Sequence, residues 1–337
     1  MLLTRSLQAS HRAWVTPFPH KRSFSTKSQS LYKFRLRPKF DTSIVRKHWG
    51  SHPRQYVEVF KYDPSFQETI IAVHGGGWID YTQQATDLIH IQKGLKSNIN
   101  MFSLEYRLSK PKHSPLEIFD SDDYYVKDPY HLIDTLQGLK NILDNYKVSK
   151  IHLLGHSVGG FLVLQIQDFQ RIIPDALEEL VICGEITKDE SKVQLDFINN
   201  FAQKYAPKID LINVFYLGGI YDVKLCIENA NESRWNFCYI DDAFVSKTHY
   251  LHSSPLTTTS KGSILGSLCA RREHVIINCF HDEYIGNYSP LRLMKWLNSQ
   301  GKTTHLKLGS YNRHFGMLRH KEVHKIIDDT LHINYTD

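Results

Sequence analysis

Ile151-His152-Leu153-Leu154-Gly155-His156-Ser157-Val158-Gly159-Gly160 reads as a short apolar strand running directly into Gly-x-Ser-x-Gly. A turn from strand to helix this sharp crowds the backbone. Gly155 and Gly159 spare it side-chain clashes while Ser157 projects its hydroxyl above a sheet, the arrangement of a nucleophile elbow. Ile151 to Leu154 is apolar and short, as a central parallel strand is, and Phe161, Leu162, Leu164, Ile166 and Phe169 follow as an apolar helix packed close to it.

Working outward, Gln55 to Phe60 alternates polar and apolar and predicts an edge or antiparallel strand, with a turn at Asp63-Pro64-Ser65. Thr69 to Val73 predicts a buried strand that ends in His74-Gly75-Gly76-Gly77-Trp78. Three consecutive glycines let backbone N–H groups converge on one point, which a tetrahedral oxyanion requires. A phosphate-cradling loop is the alternative, but neither G-x-x-x-x-G-K-[ST] nor G-x-G-x-x-G spacing is present. Residues 83–96 have helical spacing at Leu88, Ile91 and Leu95, and Met101 to Leu104 is the next apolar strand. After a polar stretch over 110–126, Asp128 and Pro129 predict a helix N-cap and first helical position, and Leu132, Leu136, Leu139 and Leu143 line one face.

Beyond the elbow, residues 174–208 have mixed polarity and predict a helical insertion over the active-site face. Asp210 to Leu217 restores a strand, and 223–270 carries aromatics (Trp235, Phe237, Tyr239, Phe244) suited to a cap or pocket wall or, equally, to core. His274 to Phe280 is another buried strand and delivers His281-Asp282-Glu283 at its end. A helix around Leu291 to Leu297 stops at Gly301, His305 to Leu308 is a short last strand, His314 lies in the loop after it, and Val323 to Leu331 closes the chain as a helix. Strand and helix alternate throughout, so the expected fold class is α/β, a mainly parallel sheet with helices on both faces. Residues 50–335 are expected to form the single α/β domain.

The ends of the chain differ in character from its body. Its 337 residues carry a formal charge of +6, yet residues 1–40 hold nine Lys or Arg and no Asp or Glu, leaving 32 basic against 35 acidic residues over 41–337. The basic surplus therefore belongs to the N-terminus and argues against nucleic acid as a partner of the body. That Ser-rich segment has Leu3, Leu7 and Trp14 on one helical face with Arg5 and Arg12 opposite, and Arg22-Ser23-Phe24-Ser25 resembles a presequence processing site. A mitochondrial (matrix) address is the expectation, with a disordered basic tail on a cytoplasmic protein as the alternative. No apolar run approaches the roughly 18 residues of a membrane span, so no membrane anchor is expected. Five scattered cysteines, none in C-x-x-C spacing, suggest neither a disulfide framework nor a zinc site.

An α/β-hydrolase triad follows the chain order Ser, acid, His, the acid after a late strand and the His after the last. Ser157, Asp282 and His314 occur in that order. Asp222 and Glu283 compete for the acid. Among the histidines, His305 falls in the last strand, His320 and His324 near the terminal helix, His156 off the far side of the elbow, and His74 in a position to brace its own loop. Gly76, Gly77 and Val158 are the candidate oxyanion donors. No H-E-x-x-H spacing indicates a zinc hydrolase.

His74-Gly75-Gly76-Gly77-Trp78, Glu105-Tyr106-Arg107-Leu108-Ser109, Gly155 to Gly159, Gly219-Ile220-Tyr221-Asp222, Asp282-Glu283 and His314 together resemble kynurenine formamidases of the fungal α/β-hydrolase type. The resemblance covers roughly residues 55–332. It implies hydrolysis of N-formyl-L-kynurenine to L-kynurenine and formate, no cofactor, no metal and a homodimer. On that reading Trp78 and Tyr221 are candidates to wall the aromatic ring of the substrate. A short-acyl carboxylesterase with the same residues and a non-catalytic binding protein of hydrolase-like fold are the alternatives.

Overall fold

The computed structural model describes residues 44–111, 125–229, 240–257 and 268–332. The chain divides into two units, Met1–Thr42 and Ser43–Asp337, and everything described belongs to the second. The N-terminal segment with its expected address, and the aromatics Trp235, Phe237 and Tyr239, lie outside the described residues.

Eight strands form one sheet: β1 (Val45–His48), β2 (Tyr56–Lys61), β3 (Glu68–Val73), β4 (Asn100–Leu104), β5 (Lys150–His156), β6 (Asp210–Leu217), β7 (Glu273–Cys279) and β8 (Thr303–Gly309). Their spatial order is β1-β2-β4-β3-β5-β6-β7-β8. β2 runs antiparallel to β1 and β4, and every pairing from β4 to β8 is parallel. The fold is α/β with a mostly parallel sheet, and β5, which carries the elbow, sits between β3 and β6.

Alternate residues of a strand face opposite sides of a sheet, and β3 divides its side chains accordingly. Ile71 and Val73 enter the larger core cluster, whereas Ile70 and Ala72 enter a second one on the other face. Helix α1 (Ile89–Gly94) covers the second face with α11 (Lys321–Leu331). Helices α2 (Tyr130–Asn145), α3 (Val158–Ile166), α4 (Phe169–Ile182), α5 (Lys188–Lys204) and α9 (Tyr288–Ser299) cover the first. A third cluster joins Trp78, Val158 and Phe161 to residues of α6 (Val223–Asn229), α7 (Ile240–Ala243) and α8 (Lys247–Ser253).

Four local expectations differ from the structure. The helix over 83–96 is a 3-10 turn at Ala85–Leu88 followed by the short α1. The elbow helix ends at Ile166, and Phe169 is the first residue of α4, with Asp168 in the position before it. Pro174 sits inside α4, and residues 174–208, expected as an insertion over the active-site face, contribute Leu177, Ile198 and Phe201 to the larger core cluster. Their mixed polarity is that of helices with one buried and one wet side; the segment that packs on Trp78 and Val158 is α6–α8 with Phe244, called the cap below. Finally, Asp128 does not cap α2. Pro129 occupies that place, and the Asp128 carboxylate, fully buried, accepts a hydrogen bond from Ser253 Oγ at 2.5 Å.

Candidate active site

The crowding at the elbow demands glycine on both sides of the serine. A Cβ at Gly155 would lie 2.2 Å from the Gly159 carbonyl oxygen, and one at Gly159 would lie 2.1 Å from that of Val73. No side chain fits either gap. Ser157 itself has φ 56° and ψ −123°, donates its N–H to the Leu217 carbonyl of β6 and stands as the residue preceding α3. Val158 is the first residue of that helix, so its N–H is one of the donors a helix leaves without an internal partner.

Asp282 and His314 are brought together from the ends of β7 and β8. His314 Nδ1 lies 2.8 Å from Asp282 Oδ2. The other carboxylate oxygen accepts the backbone N–H groups of Tyr284 and Ile285, at 2.9 and 2.8 Å, which fixes the carboxylate plane. With Nδ1 donating to Asp282, the neutral imidazole carries its lone pair on Nε2.

His314 sits on a short helical turn, α10 (Arg313–Gly316), entered through two left-handed residues, Asn312 at φ 61° and Arg313 at φ 65°. Two bonds pin the histidine backbone there. Its N–H donates to Glu283 Oε2 at 3.0 Å, and its carbonyl accepts from His156 Nε2 at 3.0 Å, the two imidazole rings lying 4.6 Å apart. Through His156 the chain links the serine to the histidine turn, although no hydrogen bond joins Ser157 Oγ to His314 among the described residues.

The glycine loop after β3 comes close to the serine: a Cβ at Gly75 would lie 2.8 Å from the Ser157 Cβ. Gly76 and Gly77 have φ 112° and 57°. The Gly75 carbonyl accepts from His74 Nδ1 at 2.7 Å and from Tyr106 Oη at 3.0 Å. Because the peptide unit is planar and trans, holding that carbonyl turns the Gly76 N–H to the opposite side. His74 is braced in turn, its Nε2 lying 2.8 Å from Glu105 Oε1 and its ring stacked on Tyr106 at 4.4 Å.

Glu105 is fully buried, which by itself would raise its pKa. The Arg54 guanidinium at 2.5 Å and His74 outweigh that burial and bring the carboxyl down to about 2.

Among the described residues, the non-glycine positions with positive φ are Trp78, Ser157, Asn312 and Arg313. Such conformations persist only where surrounding structure imposes them, and they concentrate at functional sites. All of these belong to the glycine loop, the elbow or the turn before His314.

Two expected substrate contacts are not where a ligand could touch them. Trp78 and Tyr221 have no accessible surface. The Trp78 ring is wedged edge-on between Phe161 and Phe244, and Tyr221 packs edge-on against Tyr216. The motif gives their positions in the chain but not which way their rings turn.

The competing residues are engaged elsewhere. Asp222 Oδ1 accepts the Leu225 N–H, His305 lies 3.4 Å from Glu273, His320 caps α11 and His324 donates to the Leu318 carbonyl. His156, expected to point away, instead packs against His314. Glu283, weighed only as an alternative acid, holds the histidine backbone. Adjacency to Ser157 and Asp282 was the only sequence signal for these two, and Arg54 had none.

Three comparisons bear on what this site belongs to. The BD-FAE family model matches residues 61–202, a span that includes the glycine loop and the elbow. The kynurenine formamidase of Scheffersomyces stipitis is 27% identical over 280 residues, 82% of this chain and 94% of that protein. That of Debaryomyces hansenii is 26% identical over 310 residues, 86% of this chain and 100% of the relative. Among solved structures, the esterase EstE5 soaked with p-nitrophenyl butyrate aligns with TM-score 0.54 at 14% identity, covering 94% of each chain. The hormone-sensitive-lipase homologue EstE7 aligns with TM-score 0.52 at 16% identity, over 86% of this chain and 84% of that one. The chain has the α/β-hydrolase fold and is similar in sequence to the kynurenine formamidases of yeasts.

Proposed function

We propose that the protein hydrolyses N-formyl-L-kynurenine to L-kynurenine and formate, with Ser157 as nucleophile, His314 as base and acid, and Asp282 orienting the imidazole. The observation that carries this reading is the His314–Asp282 hydrogen bond, built at the ends of β7 and β8 beside an elbow whose serine is held at positive φ. Similarity to formamidases over most of the chain supports the substrate class.

In this mechanism Ser157 Oγ attacks the formyl carbon as its proton passes to His314 Nε2. The amides of Gly76, Gly77 and Val158 receive the oxyanion. Asp282 stabilises the imidazolium that forms. The tetrahedral adduct collapses when His314 returns the proton to the departing aryl nitrogen, which releases L-kynurenine and leaves the formyl group on Ser157. Water, deprotonated by His314, then attacks that ester, and formate departs as the serine regains its proton. A formyl carbonyl is unhindered and an aryl amine leaves more readily than an alkyl amine, so one well-placed acid suffices for this amide.

A short-acyl esterase would use the same residues, and substrate preference separates the two. Purified protein assayed in parallel on N-formyl-L-kynurenine and p-nitrophenyl acetate is expected to show the larger kcat/KM on the formamide. Turnover of the ester with none of the formamide would remove the formamidase assignment.

A further inference from the structure

Trp78 follows Gly76 and Gly77 directly and is itself left-handed, at φ 65°. A bulky side chain does not hold that conformation unless its surroundings impose it. The indole N–H has no hydrogen-bond partner, so packing sets where the ring lies. Two edges confine it, Phe161 at 5.6 Å and Phe244 at 5.3 Å, both near perpendicular. Phe161 belongs to α3, the helix that Ser157 introduces, and moves with the elbow. Phe244 comes from the cap, just after α7.

The cap segment is seated by two adjoining residues of the body. The Asp128 N–H donates to the Ala243 carbonyl at 2.9 Å, and Lys127 Nζ donates to the Asp242 carbonyl. The Asp128 carboxylate accepts from Ser253 Oγ of α8 and lies 3.3 Å from His249 Nε2, and the His249 ring stands edge-on to Phe244 at 5.4 Å.

We infer that Phe244 is a positioning residue for the oxyanion turn: by pressing the Trp78 indole toward Phe161 it holds residues 76–78 in the left-handed path that aims their amides. Asp128 acts one step further out, by seating the segment that carries Phe244. The inference rests on the reading of Gly76 and Gly77 as oxyanion donors.

The contact is therefore expected to appear in kcat rather than KM, because an oxyanion donor strengthens its bond as charge develops and contributes little to the ground state. Loss of one such donor outright lowers kcat by about 100- to 1,000-fold, and a misaimed one should lose roughly tenfold or more. A cap that merely walled the pocket would raise KM and leave kcat alone.

A double-mutant cycle on p-nitrophenyl acetate tests the coupling, using wild type, Phe244→Ala, Trp78→Gly and the double variant. Glycine adopts φ 65° without a prop, so in the Trp78→Gly background Phe244 has nothing to act through. The expected result is a kcat loss of roughly tenfold or more for Phe244→Ala alone with KM within about twofold, and no further loss from it in the Trp78→Gly background. Phe244→Leu, which removes the ring edge but keeps a buried apolar side chain, gives the same comparison if the alanine variant does not fold. Equal kcat losses in both backgrounds, or a raised KM with unchanged kcat, would overturn the inference. Ser157→Ala run alongside distinguishes the failures: if it keeps wild-type turnover the serine reading itself fails, whereas equal losses with Ser157→Ala inactive overturn only the coupling.

Discussion

Asp282 divides its two oxygens between different kinds of donor, and that division makes a one-atom substitution informative. Oδ1 is committed to the N–H groups of Tyr284 and Ile285, so it must remain an acceptor. In Asp282→Asn the amide NH2 is then forced into the Oδ2 position, where it donates to His314 Nδ1. The imidazole would carry its proton on Nε2 and could not accept one from Ser157. We expect kcat to fall by roughly a thousandfold or more with the fold intact, as read by steady-state kinetics beside thermal unfolding. Activity within tenfold of wild type would take Asp282 out of the machinery. Neither backbone donor could be foreseen from the sequence, which supplied only an acid at the right place in chain order.

At the scale of elements, what burial alone decides was legible. Strands such as Asp210–Leu217 and Glu273–Cys279 are runs that only a sheet covered on both faces would bury, and chain order then puts Asp282 and His314 beyond the ends of β7 and β8. What depends on contacts between distant segments was not legible. Asp128 beside Pro129 has the local signature of a helix start, yet its carboxylate turns to Ser253 on the cap, 125 residues further along. The break at Asp168 between α3 and α4 falls where apolar residues recur on both sides of it, Ile166 before and Phe169 after. Trp78 and Tyr221 read as aromatic walls for an aromatic substrate, but each ring fills a space left by other rings. Side-chain direction follows from tertiary packing, which a motif does not encode.

For the molecule as a whole, Glu105 is a junction. Standing just past the end of β4, its carboxylate meets Arg54 from the segment before β2, Tyr56 Oη of β2, His74 after β3 and the Ala85 N–H of the 3-10 turn. Its folded pKa is depressed from 4.5 to about 2. The sign follows from the unfolded chain binding this proton more readily: the ionised group's contribution is complete above about pH 4.5 and is lost as pH falls toward 2. That contribution is on the order of 3 kcal/mol. In Glu105→Gln, urea unfolding measured from pH 5 downward should show a shallower loss of stability than wild type across that window. Parallel curves would mean that the junction does not titrate with folding.

The central claim is that Ser157 cleaves an aryl formamide, and release of formate from N-formyl-L-kynurenine by wild type and by Ser157→Ala tests it most directly. Wild type should release formate and L-kynurenine in equal amounts, and the alanine variant should be slower by about a thousandfold or more, given what loss of the nucleophile costs a serine triad. Undiminished hydrolysis by a folded Ser157→Ala protein would contradict it.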